Sequence, residues 1–236
     1  MIARLLRRWW WMGVVVTALS GVGWAVFGSA AGLAVVPKNH SAFRTCVLTA
    51  YPKATFVAGD TWADENSPTA KRGGGNAMQV QSNTGRNNRA YIRFDLTKCV
   101  PTPSSAATVH KATLRLNLAT APPGSRIYNL NRVTGPCPEA ATTCWTESNL
   151  TWNNKPTVAA SATATLALSA TSTLNRFYDF DVTTDVAAMA AATASNYGWQ
   201  LADSAEGNAT SVIVTFKAKD LASASGAPQL VIVYSP

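Results

Sequence analysis

Over most of the chain, apolar and polar residues alternate. In RAYIRFDL (89–96), Ala90, Ile92, Phe94 and Leu96 share one face, and Tyr91, Arg93 and Asp95 share the other. KATLRLNLAT (111–120) sets Ala112, Leu114, Leu116 and Leu118 against Thr113, Arg115 and Asn117. RFYDFDV (176–182) and SVIVTFKAKD (211–220) follow the same rule, and ATATLALSAT (162–171) follows it with small residues. A period of two puts successive side chains on opposite faces of a strand. APQLVIVYS (227–235) is apolar on both faces and reads as a central strand. Turn clusters separate these runs: KRGGGN, APPGS, WNNKP and ASGAP. The pattern predicts an all-β fold, an antiparallel sandwich with one face of each sheet buried and the other wet.

One segment breaks the period. DVTTDVAAMAAATAS (181–195) places Val186, Met189 and Ala190 on one helical face. It predicts a short helix over about 184–194, with Thr183 or Thr184 as its cap. Asp185 lies in the first turn, where the helix dipole favours a negative charge. Asn196-Tyr197-Gly198 stops it. Met189 reads as a core contact.

The amino terminus differs from everything after it. MIARLLRR is followed by residues 9–36, which contain no charge. That run fits either a secretory signal peptide or a membrane anchor. The arginines precede it, which directs the remainder of the chain out of the cytoplasm. Residues 37–50 read as a tether, and 51–236 as the exported domain. The net charge is +8; Arg4, Arg7 and Arg8 account for three, leaving +5 beyond the apolar run. Those later basic residues are scattered, unlike a nucleic-acid arm. Charged residues make up only 14% of the chain, a composition that suits an extracellular β protein.

Four cysteines, Cys46, Cys99, Cys137 and Cys144, allow three pairings. The six-residue span PEAATT closes readily between Cys137 and Cys144, which leaves Cys46 to pair with Cys99. No C-x-x-C spacing and no neighbouring histidine points to zinc.

Candidate chemistry is sparse. There are two histidines, His40 and His110, and no G-x-S-x-G elbow. Asp95, Glu147, Asp179, Asp181 and Asp203 are carboxylates of the kind glycosidases pair, but no spacing pairs two of them. DTWADEN offers Asp60, Asp64 and Asn66 as oxygen ligands, without the loop pattern of a dedicated calcium site. Structural calcium is therefore the one cofactor the sequence raises. Sugar recognition needs exposed rings with a few polar groups. Tyr91 is the best exposed ring by alternation. Arg93, Arg115, Tyr128 and Trp62 complete a candidate carbohydrate face, with Arg86, Arg89 and Arg132 brought near if adjacent strands pair. Trp199 reads as core.

The order of several short segments resembles one family. FDL (94–96), ATLRL (112–116), WTESNLTWNNKP (145–156), FDVTTDV (180–186), NYGWQL (196–201) and PQLVIVY (228–234) follow one another as in DNRLRE-type, disaggregatase-related domains. One branch of these is classed among carbohydrate-binding modules. DTWADENSP (60–68) with GGGN (73–76) fits the first strand and loop of that family. The late Ser-basic-Glu element of the family is replaced here by Phe216-Lys217-Ala218-Lys219-Asp220. The resemblance implies a jelly-roll-type β-sandwich of secreted and cell-surface proteins, without catalysis of its own. It also implies that WTESNLTWNNKP belongs to the framework. Trp152 is then expected inside, and Trp145 over a sandwich end, its indole N–H needing a partner.

The reading is an exported, non-catalytic module that binds extracellular polysaccharide or a cell-wall polymer. It touches a membrane only through its amino-terminal segment and does not bind nucleic acid. The competing readings are a structural or adhesive surface module without a small ligand and, behind it, a polysaccharide-active enzyme.

Overall fold

The computed structural model describes residues 42–51, 58–135, 145–221 and 224–236. The elements are β1 (Arg44–Thr49), β2 (Ala58–Asp64), β3 (Ala77–Ser82), β4 (Asn88–Phe94), β5 (Thr108–Thr120), β6 (Arg126–Arg132), β7 (Ala164–Leu168), β8 (Phe177–Asp181), α1 (Thr183–Ala190), β9 (Trp199–Asp203), β10 (Val212–Lys217) and β11 (Gln229–Ser235). All strand pairs are antiparallel. The first sheet runs β1-β11-β5-β8. The second runs β10-β3-β4-β9-β6-β7, with β2 also paired to β4.

β5 joins the two sheets. Its first part pairs with β11 and β8, and its end crosses to β10 through Leu118↔Phe216 and Thr120↔Thr215. A register shift at Thr215/Phe216 marks the crossing. The hydrogen-bonded network thus folds over on itself as a jelly-roll-type β-sandwich. Leu48, Leu114, Phe180, Leu230 and Ile232 of the first sheet meet Val80, Ile92, Phe94, Leu201 and Val214 of the second in one buried cluster. β11 lies between β1 and β5, the central place its two apolar faces predict.

β1 takes the last residues of the segment read as a tether into the first sheet, and a Cys46–Cys99 disulfide pins it there. Cys137 and Cys144 lie outside the described residues, as do His40 and residues 9–36. Among the described residues no helix is long and apolar enough to cross a membrane.

α1 packs on β5 through buried Val186 and Met189. Its cap is Val182, not a threonine. The Thr183 hydroxyl is drawn away to accept the Ala112 N–H (3.0 Å), and the Thr183 N–H donates to Asp181 (3.0 Å). Gly198 follows with φ +75°, and a Cβ there would lie 2.2 Å from the Ile92 carbonyl oxygen. Only glycine fits both demands.

Candidate functional site

The outer face of the second sheet is covered over β2 and β4. On β4, Arg89, Tyr91 and Arg93 point outward, as alternation predicts, beside Gly59, Thr61 and Ala63 of β2. The segment from Trp145 to Val158 lies over them. Trp145, Leu150, Tyr91, Ala63 and Val133 form a second buried cluster, flanked by Trp152, Val158 and Tyr197. The Trp145 ring meets Tyr91 edge-on at 5.9 Å, and its indole N–H donates to the Tyr197 carbonyl (2.8 Å). The segment is held in shape by its own asparagines. Asn149 accepts the Thr146 N–H (2.6 Å), and Asn154 accepts the Thr151 N–H (2.7 Å).

A buried polar staple fixes the segment to the sandwich. The Asp60 N–H donates to Glu147 Oε1 (2.8 Å), and Lys219 Nζ pairs with Glu147 Oε2 (3.0 Å). The Lys219 N–H donates to Asp60 Oδ2 (2.7 Å). Asp60 is 1% exposed, and burial pushes its carboxyl up to about 7. Gly73 admits the Glu147 backbone so closely that a Cβ would lie 2.4 Å from the Glu147 carbonyl oxygen. Lys219 also pairs with Asp220 (3.8 Å), which ties both residues into this staple.

The two tryptophans of WTESNLTWNNKP exchange the roles expected of them. Trp145 is core, and Trp152 is only half-buried. The Arg89 guanidinium lies 4.9 Å from the Trp152 ring centre and Lys155 Nζ lies 3.9 Å from it. Arg89 is clasped by Glu206 through two bonds (2.8 and 2.7 Å). Glu65 accepts from the backbone and side chain of Asn87 (2.8 and 2.7 Å). The Asn153 N–H donates to the Pro68 carbonyl (3.1 Å), which joins this segment to the loop after β2. Burial lowers the Lys155 pKa, with Arg89 adding to the effect and Glu65 and Glu206 opposing it. The result is a half-buried ring with two cations over it, one of them clasped by Glu206, on a braced frame.

The residues named from sequence do not converge. Tyr91 is fully buried under Trp145, and its hydroxyl is held by Gln200. Arg93 is half-buried on the same face, where burial lowers its pKa against the opposing charges of Asp95 and Glu147. Tyr128 points into the core. Trp62 faces the core from β2, half-buried, with the Arg72 guanidinium 4.9 Å from its ring. Arg115 lies on the outer face of the other sheet, paired with Asp179 (2.9 Å). Arg132 pairs with Asp185 (3.3 Å). Alternation assigned faces correctly along β4, but it gives no signal that a later segment covers one of them. Asp60 and Asp64 are separated by four residues of extended strand, about 13 Å. Asp64 is engaged by Arg72 (2.6 Å) and the Asn66 N–H (3.0 Å). Among the described residues no group of three or more His, Cys, Asp or Glu is arranged to hold a metal.

A family model matches residues 52–234, described as carbohydrate-binding module family 96. The chain belongs to that family. No curated protein matches the module. A chain of the crystal structure of the T13 IBDV viral particle aligns with it at 12% identity and a TM-score of 0.18, a likeness that carries no argument. The alignment covers 89% of the module's chain and 39% of the viral one. Carbohydrate binding calls for a ring open on one face beside fixed polar groups. Trp152 is a half-buried ring with Arg89 and Lys155 fixed over it and Glu206 clasping Arg89. Sequence reasoning missed Trp152 by seating it inside. The signal available was local: Lys155 follows it by three residues, in a turn rich in asparagine.

Proposed function

We propose that the module is an exported, non-catalytic binder of extracellular polysaccharide or cell-wall polymer, and that Trp152 is its platform. The observation that carries this is the half-buried Trp152 ring with Arg89 and Lys155 held over it, two cations a bound sugar can displace or share hydrogen bonds with. The C–H face of a sugar stacks on the indole, and the charged groups take its hydroxyls. The staple from Glu147 to Lys219 keeps the platform from shifting when a polymer pulls on it. The DNRLRE-type resemblance and family 96 membership both favour a binding role.

Absence of catalysis is supported by the fate of the carboxylates. Asp179, Asp181 and Asp203 are held by Arg115, Lys111 and Arg126, and Glu147 by Lys219. Asp95 caps a 3₁₀ turn over Leu96–Lys98. Export is supported by the disulfide, which persists in oxidising compartments, and by the uncharged run at 9–36. A pull-down across insoluble neutral and acidic polysaccharides tests the reading. Retention on at least one, without release of reducing sugar, is expected. Retention on none favours a purely structural module, and sugar release establishes an enzyme.

A further inference from the structure

The outer faces of the two sheets differ in charge. On the first sheet, outward positions of β5 and β8 carry ion pairs, Lys111 with Asp181 and Arg115 with Asp179. On the second sheet, the strands beyond the covered β2 and β4 show another pattern. Leu201, Tyr128, Leu130 and Leu168 face the core from β9, β6 and β7. Alternation then turns Ala202, Asn129, Ile127, Thr165 and Ala167 outward. None of the five is charged. Arg126 and Asp203 take the other side of their strands and close on each other (2.9 and 2.5 Å). Ile127 is 52% exposed, and Thr165 and Ala167 are exposed beside it.

Strand pairing sets these residues in a row that starts at Arg89. Ala90 pairs with Leu201, so Ala202 is the β9 residue beside Arg89. Ala202 pairs with Asn129, and Asn129 pairs with Thr165. Ile127 and Ala167 form the next outward pair along the same two strands. Adjacent strands lie about 4.8 Å apart, so the row from Arg89 to Thr165 spans roughly 14 Å. Trp152 stands at its start, its ring centre 4.9 Å from the Arg89 guanidinium. At its far end an open hollow of about 500 Å³ is lined by Ile127 and Ala167 together with Ser125, Ser169, Ser172 and Ser204.

The chemistry of the row fits one ligand class. Ala202 and Ala167 are small and leave room above the sheet, and Ile127 offers an apolar surface. Asn129, Thr165 and the serines supply donors and acceptors. A sugar chain has the matching features, apolar on its ring faces and hydroxylated at its edges. An acidic polysaccharide would lay carboxylates along a row where no cation among the described residues meets them. At the start of the row Arg89 is already clasped by Glu206, and Glu65 sets off the charge of Lys155.

We propose that the row from Arg89 to Thr165, with the hollow beyond it, is a lane for the interior of a linear neutral polysaccharide. Trp152 holds one sugar at the head of the lane. The lane rests on the reading of Trp152 as platform, and it gives the ligand a length, a direction across the strands and a charge class.

The test is affinity electrophoresis of the full chain in gels containing galactomannan, glucomannan or xyloglucan, with alginate and polygalacturonate as acidic counterparts. The parent is compared with Ile127→Ala/Asn129→Ala, with Thr165→Glu and with Trp152→Ala. The lane positions point away from the core, so unfolding curves should coincide with the parent's; if the double variant unfolds, Thr165→Glu alone decides. At least one neutral polymer should retard the parent, and both lane variants should bind it about tenfold more weakly. Hexasaccharides cut from that polymer should compete about tenfold better than its disaccharides against the parent, and no better against Thr165→Glu. Folded lane variants that are retarded like the parent overturn the lane. The platform then stands if Trp152→Ala has lost retardation and falls with the lane if it has not. Retardation by the acidic polymers alone overturns the neutral lane, and a parent that no gel retards overturns lane and platform together.

Discussion

Asp60→Asn probes the staple most sharply. The Asp60 carboxyl is 1% exposed and accepts the Lys219 N–H at 2.7 Å. Burial is the largest influence on it and raises its pKa from 3.8 to about 7; the Lys219 bond opposes, and Glu147 and Asp220 add to the rise. A carboxyl whose pKa is higher in the folded chain binds its proton more tightly there. Stability therefore falls as pH climbs from about 4 to about 7 and levels off above. A rise of about three pH units corresponds to a loss on the order of 4 kcal/mol across that window. Asparagine keeps the shape and the acceptor for Lys219 but cannot ionise. The variant should lose most of the parent's decline between pH 4.5 and 8. Comparing the two slopes removes any constant cost of the amide. Urea unfolding followed by tryptophan fluorescence at several pH values measures both. A parent whose stability is flat or rising over that range, or a variant with the parent's slope, refutes the reasoning.

Two further variants test the frame. Trp145→Ala removes a buried ring and its bond to Tyr197, and should cost about 3–5 kcal/mol in urea unfolding. A cost below about 1 kcal/mol contradicts the covered outer face. Replacing Cys46 and Cys99 together by serine opens a crosslink spanning 53 residues and should cost about 4 kcal/mol by loop entropy. An unchanged denaturation midpoint argues against that bond in the folded chain.

Much of the sandwich is legible from alternation. The runs at 89–96, 111–120, 162–171, 176–182, 211–220 and 227–235 all contain strands, the first five marked by a two-residue period and the last by a short continuous apolar run. β3 and β6 escape that reading. Both carry the same alternation, Met78 and Val80 against Gln79 and Gln81 and Tyr128 and Leu130 against Asn129 and Asn131, but in short runs whose polar face is uncharged amide, which the sequence reading passes over. The helix is recognisable by its alanine spacing, though its last turn falls short because Ala191 already caps it.

The site is much less legible. Period two tells which side of a sheet a residue takes, and it does so correctly for Tyr91. It does not tell whether that side meets water. Coverage depends on contacts distant in sequence, such as Glu147 with Asp60 and Trp145 with Tyr91. The same distance hides Arg89 from Trp152 and separates Arg115 from Arg93, although both arginines sit at outward positions of their strands.

The central claim is that Trp152 carries carbohydrate binding. Affinity electrophoresis of the parent and Trp152→Ala, in gels containing a polysaccharide the parent binds, tests it directly. Losing the platform should weaken binding at least tenfold, on the order of 1.4 kcal/mol or more. Unfolding curves taken alongside should show the fold retained. A Trp152→Ala chain that is folded and retarded as strongly as the parent contradicts the account.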